Sequence, residues 1–193
     1  DIIKIIKPSY VIIENIPRFL NLSLKYKNSY MNPHDYFKYF LGKNYIIESD
    51  IYNSSDFKVP QDRKRAIIKI YKKELTWSKP KLSPKKITVR DAIGHLPSIE
   101  SGQKSKVDWH FGRKHSKNHI LAMEKTPTGK SAFEYSNILK STSGKTPKGF
   151  KTTYARMEWD KPCPTITIRN DAISSQRNVH PGKKLKNGNY SDA

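Results

Sequence analysis

The sequence predicts an α/β fold: strands of a doubly wound, Rossmann-like sheet, followed by a small loop-rich module. Three observations lead there. Short apolar runs rich in Ile and Val alternate with one helical stripe in the first 75 residues. From Thr76 the texture shifts to Pro, Ser, Gly and Lys. The positive charge is also uneven, concentrating in the middle of the chain.

Tyr10-Val-Ile-Ile13 is a continuous apolar run between Pro8 and Pro17, suited to a buried strand. Asn32-Pro33 opens a helix with Pro at its first position. Asp35 to Leu41 sets aromatics on a helical stripe, and Gly42 stops it. Tyr45 to Tyr52 reads as a second strand. Ala66-Ile-Ile-Lys-Ile-Tyr71 reads as a third, entered through a polar turn near Pro60. Strand, helix, strand, strand with continuous apolar strands is the pattern of a doubly wound sheet, or part of one.

Ser78 to Pro84 is linker-like. Thr88-Val-Arg-Asp91 has the spacing of a helix start, and Pro97 ends that helix. Residues 98–153 show no sustained period and read as a loop-rich surface module. Thr165-Ile-Thr-Ile168 alternates like a half-buried strand.

The chain has 193 residues, with 37 Lys+Arg against 17 Asp+Glu and a net charge of +20. No apolar run approaches the ~18 residues of a membrane span. One Cys excludes an internal disulfide and a multi-Cys zinc site. The 21 aromatic residues (3 Trp, 11 Tyr, 7 Phe) supply a core and argue against disorder. Net charge is +6 over residues 1–75, +11 over 76–155 and +3 over 156–193. The middle segment therefore favours a polyanion, most often nucleic acid. A solvated lysine-rich surface is the plainer alternative.

Three elements carry chemistry. Glu14-Asn15-Ile16-Pro17 follows the first strand, where the carboxyl ends of strands in an open sheet line the ligand crevice. The alternative is a strand-end Glu meeting water. In Val59-Pro-Gln-Asp-Arg-Lys-Arg65, Gln61, Arg63 and Arg65 alternate and so share one side of an extended segment. Two guanidinium forks and an amide suit a phosphate, a carbonyl oxygen or an oxyanion, against the alternative of a solvated basic turn. In Arg156 to Thr167, Pro162 and Pro164 hold Cys163 in extended chain, and Thr165 and Thr167 face one way. Their hydroxyls suit phosphate, or serve only the strand.

These elements, in this order, resemble three ordered motifs of the DNA (cytosine-5) methyltransferases. Thr88 to Pro97 resembles the approach to that family's target recognition domain. Thr126 to Phe133 and Ile173 to Pro181 resemble bacterial members. Ile16 stands where the family usually has Val.

The resemblance implies the later strands of the methyltransferase sheet plus a target recognition domain. Residues 1–75 would be the C-terminal part of the catalytic domain, 76–155 the target recognition domain, and 156–193 a return segment towards the catalytic domain. The catalytic set would be Glu14, Asn15, Gln61, Arg63 and Arg65. Glu14 would bond N3 and the exocyclic amine of a flipped cytosine, Asn15 would shape the strand end, and Arg65 would donate to O2. Gln61 and Arg63 would position the active-site loop and a nearby phosphate. Arg156 and the Thr165/Thr167 strand would organise the recognition domain and its backbone contacts, and these three, with Lys114, Lys117 and Lys130, would serve DNA binding.

The implied methyl donor is S-adenosylmethionine and the implied partner is double-stranded DNA, in the bacterial cytoplasm at the nucleoid. The family's nucleophile is a Cys in a Pro-Cys loop upstream of the Glu-Asn element. Cys163, between two prolines and far downstream, does not match it, so no nucleophile is expected in this chain. The Gly-rich donor motif also lies upstream in the family. The chain does not begin with Met and is expected to be a segment lacking both ends, inactive alone, with a complementary N-terminal segment or chain as partner. A non-enzymatic DNA-binding remnant, or one chain of a split methyltransferase, is the alternative. RNA binding lacks a recognisable module. His115 and His119 have an i,i+4 spacing, but no Cys or acidic partner joins them and lysines flank them, so no metal is expected.

Overall fold

The computed structural model describes residues 2–132, 155–166, 179–183, 186 and 191. The chain divides into two compact units, one of Asp1–Phe57 with Arg63–Pro84 and one of Lys58–Asp62 with Lys85–Ala193.

The first unit contains α1 (Ile2–Ile6), β1 (Tyr10–Asn15), a 3-10 helix at Pro17–Asn21, and a hairpin of β2 (Leu24–Tyr26) and β3 (Ser29–Met31). Then come α2 (Pro33–Leu41), β4 (Tyr45–Asn53), a second 3-10 helix at Ser54–Phe57, and β6 (Lys64–Lys72). Between them, β5 (Gln61–Asp62) belongs to the second unit. The expected helix and all three expected strands form, but β1, expected to be buried, exposes alternate residues, with Ile12 62% exposed, because among the described residues one face of the sheet is left uncovered there. The β2–β3 hairpin was not legible, because strands of three residues are too short to show a period.

Helix α2 starts as its sequence dictates. The Asn32 side chain accepts the Asp35 N–H at 2.9 Å and donates to the Asp35 carboxylate at 2.8 Å, with Pro33 in the first turn. It lies between β1 and β4 in the chain, and those two strands run parallel to each other. Strand β6 enters between them, antiparallel to both, in the order β1-β6-β4. This is the α/β architecture the apolar runs indicate, with one antiparallel strand inserted.

One face of the sheet builds the core. Ile68 and Ile70 of β6 are fully buried against Leu41 and Tyr45, with Val11, Ile13, Phe37, Phe40 and Ile47 packed around them. Burying each such Ile contributes roughly 1.5–3 kcal/mol. The opposite face is polar and aromatic. Register places Tyr10, Ile12 and Glu14 beside Tyr71, Lys69 and Ile67, and these beside Ile46, Glu48 and Asp50. Trp77 folds back onto that face, 5.3 Å from the Tyr10 ring and 5.8 Å from the buried Lys69 ammonium. Lys69 pairs with Glu48, which also accepts from the Tyr71 hydroxyl at 3.2 Å.

In the second unit, β5 pairs in parallel with β7 (Cys163–Pro164). Helix α3 (Val89–Ile93) carries the expected capping box between Thr88 and Asp91. Its first N–H groups donate outward: Val89 to the Lys161 carbonyl at 2.9 Å and Arg90 to that of Trp159 at 2.8 Å. A further helix, α4 (Lys117–Lys125), starts at Ser116 inside the stretch read as loop. Its apolar face holds only Ile120, Ala122 and Met123, too few for a readable period, and packs on Ala132 and Val179. Of the strand expected at Thr165–Ile168, Thr165 and Ile166 follow β7, which ends at Pro164, and 167–168 lie outside the described residues. Among the described residues no helix is long and apolar enough to cross a membrane.

Candidate functional site

Glu14 sits near the end of β1 on the sheet's polar face, opposite Ile67 in register. Side chains two apart on a strand share a face, so Arg65 lies diagonally across from Glu14. Its Nε stands 2.5 Å from Glu14 Oε1, with Glu14 about half exposed and Arg65 less so. Arg65 Nη1 donates to the Lys64 carbonyl at 2.8 Å. Among the described residues, Glu14 Oε2 and Arg65 Nη2 take no protein partner. The pair thus leaves one acceptor and one donor for a polar ligand.

The neighbouring motif residues are placed by backbone geometry. Asn15 turns its Oδ1 onto the Ile16 N–H at 2.8 Å, closing the strand end. The Arg63 N–H donates to Asn53 Oδ1 at 2.8 Å, and the Arg63 carbonyl accepts from Ser54 at 3.1 Å. Gln61, Arg63 and Arg65 are half-buried while Asp62 and Lys64 are exposed, the alternation expected of extended chain. Gln61, however, belongs to the second unit, paired with Cys163 in the β5–β7 ladder. Sequence reasoning passed over Tyr52, which faces Arg65 directly across β4 and β6, its hydroxyl held by Asp50 at 3.1 Å. The period-2 alternation of β4 was the signal available for it.

Cys163 is buried, its N–H on the Pro60 carbonyl at 2.9 Å. Burial pushes its thiol pKa up, against a smaller opposing effect of the Gln61 hydrogen bond. A protonated, enclosed thiol is a poor nucleophile.

Arg156, read from sequence among the DNA-binding residues, is turned inward. It is 2% exposed. Its Nε donates to the Thr126 carbonyl at 2.9 Å, Nη1 to that of His180 at 2.7 Å, and Nη2 to those of Met123 and Ser191. Two of these carbonyls close the C-terminal end of α4, where a cation is favoured. In this conformation the guanidinium faces the unit's own backbone and not solvent. Gly182, at φ +66, allows the close approach, since a Cβ there would lie 2.5 Å from Arg156 Nη1.

Thr165 donates its hydroxyl to the Asp62 carbonyl at 2.9 Å, tying the segment after β7 to β5. Thr167 lies outside the described residues. Lys114, Lys117 and Lys130 are exposed. The His115 and His119 rings meet edge to face at 6.4 Å, and burial lowers the His115 pKa, helped by His119 and Arg113. Among the described residues no group of three His, Cys, Asp or Glu side chains could hold a metal ion.

Comparison with known proteins adds the following. The family model of the C-5 cytosine-specific DNA methylases matches residues 1–191. The chain is 48% identical over 194 residues to the type II methyltransferase M1.HgaI of Avibacterium volantium, covering 99% of this chain and 54% of that protein. It is 28% identical over 169 residues to the type II methyltransferase M1.HphI of Haemophilus parahaemolyticus, covering 86% of this chain and 42% of that protein. A crystal structure described as a candidate DNA modification methyltransferase from an E. coli prophage superposes with a TM-score of 0.58 at 17% identity. It covers 93% of this chain and 56% of that one, and shares the fold. The chain spans about half the length of the curated relatives it matches.

Proposed function

The chain belongs to the C-5 cytosine-specific DNA methylase family, and from that premise we propose that it carries the cytosine-activating side of the active site together with a DNA recognition module. The observation that carries this reading is the Glu14–Arg65 pair at 2.5 Å, with an acceptor and a donor left over. Cytosine offers the complement along one edge: an exocyclic amine, the N3 position and the O2 oxygen. Glu14 takes the amine and assists protonation at N3, while Arg65 donates to O2. Both withdraw electron density from the ring, so C6 accepts a nucleophile more readily. Asn15 holds the strand end, and Gln61 and Arg63 position the adjoining loop. The base leaves the duplex stack first, because neither side chain reaches it there.

The nucleophile comes from residues outside these 193. Cys163 is the sole thiol, it is buried, and burial keeps it protonated. S-adenosylmethionine, the donor the family implies, supplies the methyl group when bound. The turns after β1 (Ile16-Pro17) and β4 (Ser54–Phe57) carry no glycine for close backbone approach to such a group. The described residues therefore do not fit a donor site by themselves.

Residues 1–75 serve as the C-terminal part of the catalytic domain, 76–155 as the target recognition domain and 156–193 as its return segment. Lys114, Lys117 and Lys130 hold duplex phosphates, and the +11 charge of the middle segment supports this. The type II designation of the relatives supports a role in restriction–modification, in the bacterial cytoplasm. The lack of a reactive thiol favours a second reading, one chain of a split enzyme or a DNA-binding remnant. The test is methyl transfer to duplex DNA by these 193 residues alone and when supplied with the other part of the Avibacterium relative. Activity only in the supplied mixture, lost with Glu14→Gln, supports the proposal. Restored activity that survives both Glu14→Gln and Arg65→Ala overturns it, and no activity under either condition favours the remnant.

A further inference from the structure

A hairpin in the second unit carries an aromatic side chain that the reading above does not use. The Gly112 N–H donates to the Gln103 carbonyl at 2.7 Å and the Ser105 N–H to that of His110 at 3.1 Å, with an antiparallel bridge between Lys104 and Phe111. The tip closes through the His110 N–H on the Val107 carbonyl at 3.2 Å. The Ser105 hydroxyl locks it, bonded to His110 Nδ1 at 2.9 Å and accepting the Val107 N–H at 3.0 Å. His110 and Phe111 line a cavity of about 430 Å³ with Arg90 and Trp159.

Trp109 is the third residue of that turn, with φ +62. This left-handed position suits Gly or Asn, and a bulky aromatic there is an outlier. The residue is 92% exposed, and among the described residues no ring or cation packs on it. A strained backbone thus presents a large apolar plane to water while adding nothing to either core. Such an arrangement points to a partner that removes the plane from water.

The surroundings select that partner's chemistry. Lys104, Lys106 and Lys114 are exposed on the hairpin and at its exit, against Asp108 at the tip and a half-buried Glu100 at the entry. A planar aromatic framed by cations fits a polyanion that also offers stacked aromatic faces. Nucleic acid does so, whereas an acidic protein offers charge without a stack. A two-stranded ribbon also fits the width of a DNA groove.

We infer that Trp109 is a base-stacking wedge: its indole packs against a base step of duplex DNA while the flanking Lys104, Lys106 and Lys114 hold phosphates. This rests on the DNA-methylase reading and adds the contact that anchors the recognition module.

The test compares the purified protein with Trp109→Ala, Trp109→Gly and Trp109→Phe variants on sheared duplex DNA, following tryptophan emission and affinity across a salt series. Trp109→Gly suits the positive φ, so it retains the fold. DNA is expected to quench the Trp109 emission and shield it from acrylamide. The Ala and Gly variants should bind about 5- to 100-fold more weakly with an unchanged salt slope, and Phe should recover most of the loss. Unchanged affinity and quenching in Ala and Gly overturn the wedge while leaving DNA binding intact. No binding by the wild-type protein overturns both readings. Shielding by phosphatidylserine vesicles in place of DNA assigns the tip to a membrane surface and also overturns the wedge.

Discussion

Arg65 reaches diagonally from β6 to β1 and places its Nε 2.5 Å from Glu14 Oε1, although the two residues lie on strands separated by a hairpin, a helix and a third strand. The pairing follows from register. Asn15 faces Ala66 and Glu14 faces Ile67, so side chains of Glu14 and Arg65 emerge on one face. A slip of one residue would turn Arg65 to the core face and leave the carboxylate alone.

Arg65 therefore acts through its fork as well as its charge. In the assembled methylase, Arg65→Lys should keep DNA affinity but lower the rate of methyl transfer by about 100-fold, because a single ammonium cannot serve Glu14 and O2 together. Glu14→Gln should lower it by roughly 100- to 10,000-fold. Single-turnover methyl transfer, measured beside a gel-shift titration, separates rate from binding. Equal losses in both would mean a folding defect.

Cys163 should be dispensable for chemistry. A Cys163→Ser variant is expected to retain methyl transfer when the nucleophile is supplied, and the 193-residue chain should form no covalent adduct with 5-fluorocytosine DNA. The native thiol should also react slowly with a thiol reagent below its raised pKa. Denaturing gels detect the adduct, and its loss on Cys163→Ser would reverse this assignment.

Among the described residues Arg156 donates to four backbone carbonyls of the second unit, so replacing it strips those of Thr126, His180 and Ser191 of this donor, while that of Met123 keeps the Thr126 N–H at 3.2 Å. Arg156→Met should destabilise that unit by about 3 kcal/mol or more. Gly182→Ala should destabilise it by a different route, since φ is +66 and the added Cβ meets the guanidinium. Urea unfolding and amide exchange in α4 are the measurements. A Met variant of native stability would return Arg156 to the surface.

The Lys69–Glu48 pair should give the first unit a pH-dependent stability. The Lys69 hydrogen bond, outweighing desolvation, lowers the Glu48 pKa. Its contribution is present above the ordinary carboxylate value and is lost as pH falls through the depressed one. Burial works to lower the Lys69 pKa, but Glu48 outweighs it and raises the value. That contribution is present below the ordinary lysine value and is lost as pH rises through the raised one. Glu48→Gln removes the negative charge facing the buried ammonium and should destabilise the first unit at neutral pH, by less than a fully buried pair would because Glu48 is partly exposed, while flattening the acid limb. Urea midpoints from pH 3 to 8 test both.

Signals that act within a turn or a strand were legible in the residues themselves. The Asn32–Asp35 cap, the Thr88–Asp91 capping box and the apolar runs of β1, β4 and β6 depend only on near neighbours and the period of the backbone. Two prolines around Cys163, and the order of the Glu-Asn and Gln-x-Arg-x-Arg elements, likewise needed no tertiary information. Tertiary structure decided what each charge faces. Arg65 and Arg156 are both arginines in polar stretches of a basic chain, yet one meets Glu14 at a half-open strand end and the other is buried among carbonyls. The difference arises because β6 inserts between β1 and β4, and because the segments at Thr126, His180 and Ser191 converge on one guanidinium. The partner of a long, flexible charged side chain is chosen by packing between distant segments, and local periodicity carries no record of that choice.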